Sequence, residues 1–140
     1  LRSRPAVWAV AVAFALAACT GSVGSVPDDV LVAQIGDLPG VTSASLDFST
    51  DPTYGPHYDG EIVLDPDLTP DEFDCVATQI VEILWQGRYV QTSSVTLVSG
   101  ENRFPGIGGL GKSSQRWGPR SSKPRPSATL STECPPIGST

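Results

Sequence analysis

Cations are nearly missing from most of this chain. Between residues 19 and 102, Arg88 is the single base against fourteen acids, and the whole chain holds only two Lys. Such a surface repels nucleic acid and anionic lipid at close range, so no nucleic-acid partner is expected. Histidine occurs once, at position 57, and no Ser or Cys sits in a nucleophile elbow that could complete a triad with it. Cysteine occurs three times, at 19, 75 and 134, never as Cys-x-x-Cys. Without such a pair upstream of Leu38 to Ala44, a copper role is removed. Long apolar runs are also missing. The longest, Ala6 to Ala18, would rise only about 20 Å as a helix, short of the ~30 Å hydrocarbon core of a bilayer.

That short run carries the most specific signal in the chain. Arg2 and Arg4 precede it, and it closes with Leu16-Ala17-Ala18-Cys19. The pattern resembles the lipobox signal peptide of bacterial lipoproteins, as in small uncharacterised lipoproteins of high-GC Gram-positive bacteria. The resemblance implies cleavage before Cys19 and a diacylglyceryl group on its sulfur. It also implies anchoring on the outer, extracytoplasmic face of the cell membrane. Two acyl chains hold a protein there stably where one would be marginal. Residues 1–18 are then the signal peptide. Residues 19–27, small and flexible, form a tether.

Residues 28–99 carry the periodicities of a small folded domain. Pro27-Asp28-Asp29 opens a helix, with Ser25 as a capping candidate, and Leu31, Ile35 and Leu38 share one face. Leu38-Pro39-Gly40 ends it. Val41 to Phe48 and His57 to Leu64 alternate as strands, joined by a Pro- and Gly-containing loop into an antiparallel hairpin. Thr69-Pro70-Asp71-Glu72 has the spacing of a capping box. It starts a helix whose core face is Phe73, Val76, Ala77, Ile80, Ile83 and Leu84, while Asp74, Thr78 and Glu82 face away. Gly87 stops it, and Tyr89 to Ser99 reads as a third strand. The expected fold is α+β, in the order α-β-β-α-β. A three-stranded antiparallel or mixed sheet would be covered on one face by two helices. This resembles a ferredoxin-like domain without its first strand, the strand that would lie between the third and the last. A gap there must be closed by the last strand shifting over or by another segment. An unfilled edge would offer a place for an envelope protein partner.

Beyond residue 100 the composition changes. Residues 103–140 hold six bases and one acid, and Gly, Pro, Ser and Arg dominate. So little apolar surface cannot offset the entropy of ordering, so residues 100–140 are expected to be disordered. A shifted reading frame in a GC-rich gene would give a similar switch. The basic segment is suited to touch an anionic surface or to fold back on its acidic domain; two independently solvated segments are the alternative.

Candidate chemistry is sparse. Gly106 to Ser113 matches the short P-loop pattern, but the following Ser114 to Pro119 breaks any helix that would cradle phosphate, so no nucleotide is expected. Asp65-x-Asp67-x-Thr69 opens like a calcium loop, yet Pro70 and Val76 occupy the positions that need Gly and Glu. His57, Asp59 and Glu61 alternate along one strand and share a side, which makes them the candidate metal ligands of an envelope metal-dependent enzyme or metal-binding protein. His57 alone reads as a solvent-facing strand residue. If Cys19 carries lipid, Cys75 and Cys134 remain for a disulfide, which an exported compartment permits; a free Cys75 is the alternative. The leading expectation is a non-catalytic interaction or envelope-support module, with no cofactor.

Overall fold

The computed structural model describes residues 25–50, 52–53, 55–88, 92–106, 116–118 and 123–138. The lipobox, most of the tether and residues 107–113 of the Gly-rich segment lie outside them. Among the described residues, two helices and four strands follow in the order α1 (Asp28–Gly36), β1 (Val41–Ser49), β2 (His57–Leu64), α2 (Pro70–Trp85), β3 (Thr92–Ser99) and β4 (Asn102–Phe104).

Local signals set most of these limits. Thr69 caps α2: its Oγ1 accepts the Glu72 amide at 3.2 Å, and the Glu72 carboxylate accepts the Thr69 amide at 2.9 Å. Pro70 follows at the first helical position. Asp65 accepts the Asp67 amide at 2.9 Å, a turn rather than a metal loop. At α1 the N-cap position is Pro27, whose ring carries no capping bond, and Asp28 and Asp29 occupy the first turn.

The sheet is mixed, with spatial order β1-β2-β3-β4. β1 and β2 form the expected antiparallel hairpin, with Ala44 opposite Ile62 and Phe48 opposite Tyr58. β3 pairs directly with β2 in parallel, Val95 opposite Gly60 and Leu97 opposite Ile62. The last long strand has thus closed up on β2 with nothing between them. Three strands become four because Gly100, at φ +61°, turns the chain back and lets Asn102–Phe104 pair antiparallel with β3.

Both helices contribute to one core. Leu31 and Ile35 of α1 and Val76, Ile80, Ile83 and Leu84 of α2 are fully buried with Ile62, Leu64 and Val95 of the sheet. At ~25 cal/mol per Å² of apolar area, such burial is the main favourable contribution to folding. The opposite sheet face carries Ser43, Ser45, Asp47, Asp59, Glu61 and Thr96, polar residues at alternate positions. Gly60 allows the β1–β2 pairing: at φ +134°, a Cβ there would strike the Ser45 carbonyl.

Tyr58 ties the ends of three elements together. Its hydroxyl accepts the Arg88 amide at 2.7 Å and donates toward Asp28 at 3.4 Å. Asp28 in turn pairs with the Arg88 guanidinium at 2.9 Å, and that guanidinium lies 4.3 Å from the Phe48 ring centroid. Burial raises the Tyr58 phenol, the Arg88 amide draws it down and the Asp28 carboxylate raises it again, leaving it at about 12. The unfolded chain ionises this tyrosine near 10 while the folded one keeps its proton. This contribution to stability is therefore complete below pH 10 and declines up to about pH 12. Chemical denaturation across that range, followed alongside phenolate absorbance, should show the loss, and Tyr58→Phe should flatten it.

Candidate functional site

The metal candidates are placed side by side but do not form a site. His57, Asp59 and Glu61 occupy alternate positions of β2, as expected. His57 is buried, not solvent-facing, because its Nδ1 reaches back 2.8 Å to the Gly55 carbonyl and draws the ring against the incoming loop. Asp59 accepts the Gly60 amide at 2.9 Å. Glu61 pairs with Arg103 of β4 at 2.7 Å, an acid–base contact between the two differently charged parts of the chain. Both partners are exposed, so the pair contributes about 0–1 kcal/mol. Among the described residues, no group of three or more His, Cys, Asp or Glu is arranged to hold a metal ion.

The most densely built polar site lies elsewhere, on the outer side of α2. Cys75, Gln79, Glu82 and Gln86 follow at intervals of four, three and four residues, which aligns them in one stripe. A polar stripe facing away from a core is ordinarily solvated. Here Gln79, Glu82 and Gln86 are only 8%, 3% and 7% exposed. Residues 128–134 cover them.

The covering segment is held almost entirely through its backbone. The Gln34 amide of α1 clamps Ala128, taking its N–H at 2.7 Å and donating to its carbonyl at 3.0 Å. Gln86 clamps Thr129 in the same way, at 2.8 and 2.6 Å. Glu82 accepts the Ser131 amide at 2.7 Å, the Ser131 hydroxyl at 2.6 Å and the Thr132 amide at 3.1 Å. Gln79 donates to the Thr132 carbonyl at 2.9 Å. The stripe ends in a disulfide between Cys75 and Cys134, with Cα atoms 5.8 Å apart. Ala128 is buried in the core cluster, and Trp117 and Ile137 pack against it.

The expected disorder of residues 100–140 is therefore corrected over 102–104 and 128–138. Apolar burial supplies only a small part of the ordering, through Ala128, Ile137 and Phe104. Paired backbone groups, a charge-assisted acceptor and a covalent bond supply the rest. The missed signal was the helical spacing of Cys75, Gln79, Glu82 and Gln86.

Beside the stripe lies a half-open cavity of about 260 Å³, bounded by Glu82, Trp85, Trp117, Arg125, Thr129 and Ser131. The Trp85 and Trp117 rings lie 6.0 Å apart, and Arg116 stands 5.3 Å from the Trp117 centroid. Arg125 donates to Thr129 Oγ1 at 2.8 Å. Among the described residues no helix is long and apolar enough to cross a membrane. Comparison with protein-family models, curated proteins and solved structures finds no match for this chain.

Burial opposes ionisation of Glu82, but hydrogen bonds from Ser131 and Thr132 outweigh it and hold the carboxyl below its usual 4.5. Its stabilising contribution is present above the unfolded-state value and is lost as pH falls through the lower folded value. Hydrogen exchange at the Ser131 and Thr132 amides should accelerate with that titration, beyond the intrinsic pH effect. Glu82→Gln should open the same amides at neutral pH, at a cost of about 1–3 kcal/mol.

The Cys75–Cys134 bond closes a loop across a separation of 59 residues. Cys134→Ser should lower unfolding free energy by about 4 kcal/mol on the loop-entropy account. Urea denaturation with and without reductant measures it: wild type under reductant should match the variant.

Proposed function

We propose that this chain is a lipid-anchored module on the extracytoplasmic face of a bacterial cell membrane, working by binding rather than catalysis, in protein interaction or envelope support. The observation that carries this reading is the Cys75–Cys134 disulfide. Such bonds persist in oxidising compartments and are rare where glutathione and thioredoxin keep thiols reduced. It agrees with the lipobox ending at Cys19, which would carry the lipid. The acidic domain would then stand off anionic headgroups on its flexible tether rather than lie flat on them.

The partner surface in this reading is the edge of the sheet. β1 hydrogen-bonds β2 on one side, and among the described residues no strand pairs with its other side. Its nine residues make a long edge, and edges of this kind take up extended segments by strand addition. The layout itself is read as a ferredoxin-like unit without its first strand, with β3 drawn into the gap beside β2.

Metabolic labelling of the expressing cells with a palmitate analogue tests the anchor. The wild-type protein should take up label and fractionate with membranes, and Cys19→Ala should lose both. Label retained by Cys19→Ala, or absent from wild type, overturns the proposal. Trapping thiols in intact cells should find Cys75 and Cys134 blocked by their bond.

A further inference from the structure

We infer that the outer face of α1 and α2 is a binding site for an extended peptide, and that residues 128–132 are its resident, intramolecular ligand. The site would take in trans an extended segment of another protein carrying a small residue, then Thr, any residue and Ser. This goes beyond the sheet-edge surface proposed above and does not depend on the lipid anchor.

Three observations carry it. The first is the register. From Cys75 to Gln86 the helix rises about 16 Å. From Thr129 to Cys134 an extended chain spans about the same distance. Gln86 meets Thr129, Glu82 meets Ser131 and Thr132, and Cys75 meets Cys134, so the segment runs antiparallel to the helix with matched spacing.

The second is the type of contact. Gln34 and Gln86 each bind both the N–H and the carbonyl of one residue, as a neighbouring strand would. Glu82 takes two successive amides. These groups read an extended backbone, whatever chain it belongs to. Side chains add three requirements: Ala128 is buried, the Thr129 hydroxyl lies 3.3 Å from the Gln86 carbonyl oxygen, and the Ser131 hydroxyl binds Glu82. Leu130 is 42% exposed and is not read.

The third is incomplete filling. The cavity of about 260 Å³ beside Thr129 and Ser131, walled also by Trp85 and Trp117, is left open by the resident segment. A competing peptide can gain contact there that residues 128–132 do not make. The disulfide keeps the resident at high effective concentration. Transfer of two electrons and two protons from a dithiol would leave Cys75 and Cys134 as thiols and the dithiol as a disulfide. The segment would then hold its place by noncovalent contacts alone.

The test uses the full chain carrying Ser131→Pro and Cys134→Ser, which detach the resident while leaving every groove residue intact. The probe is a fluorescent synthetic peptide of residues 124–136 with Ser in place of Cys134. Fluorescence anisotropy should show saturable binding, at least tenfold tighter than a scrambled peptide. The same variant with Glu82→Gln should bind at least tenfold more weakly, and oxidised wild type should not bind. Equal binding of native and scrambled peptides overturns the inference. So does loss of the helical and sheet circular dichroism in the detached variant, because residues 128–132 would then be part of the core and not a ligand.

Discussion

A carboxylate buried on the outer side of a helix must be met by donors, and in this chain the donors come from some fifty residues downstream. Isolated, Glu82 would cost several kcal/mol to remove from water. With two amides and a hydroxyl directed at it, the charge becomes one anchor of a segment that Gln34, Gln79 and Gln86 also hold. Gln79 and Gln86 are covered by the same movement of chain. The protein thus has a third layer: sheet, two helices, then a strap held by this acceptor, by three glutamines and by the disulfide.

The sheet solves a different problem. β2 lies inside it, antiparallel to β1 and parallel to β3, so its core side is filled by Tyr58, Ile62 and Leu64 while Asp59 and Glu61 alternate with them on the other side. Tyr58 also reaches past the core to the Arg88 amide just after α2 and the Asp28 carboxylate at the start of α1. Gly87 leaves the room for this, since a Cβ there would strike the Tyr58 hydroxyl. One side chain therefore sets the spacing of both helices above the sheet.

Much of the α+β part was legible in sequence because its signals are local. The capping box at Thr69 and Glu72, the alternation in β1 and β2 and the apolar face of α2 each lie within a single element. The neighbour of β3 was not legible, since period-2 alternation is the same whichever strand it pairs with. β4 was missed because Asn102–Phe104 is too short to show a period. The strap was missed for a more general reason. Hydrophobic patterning detects segments that fold by burying side chains, whereas residues 128–134 are ordered by backbone hydrogen bonds to Gln34, Gln79, Glu82 and Gln86. The metal candidates shared a strand face as expected, but Arg103, beyond the last expected strand, takes up Glu61. The lipobox and most of the Gly-rich segment fall outside the described residues.

The bond between Cys75 and Cys134 also crosses the boundary where the composition changes. It makes residues 75–134 a closed covalent ring that contains part of α2, all of β3 and β4, and most of the basic region. A protease that cuts once anywhere in that ring opens it but frees nothing. The acidic domain and the basic C-terminal region then travel, and are turned over, as one molecule until the sulfurs part.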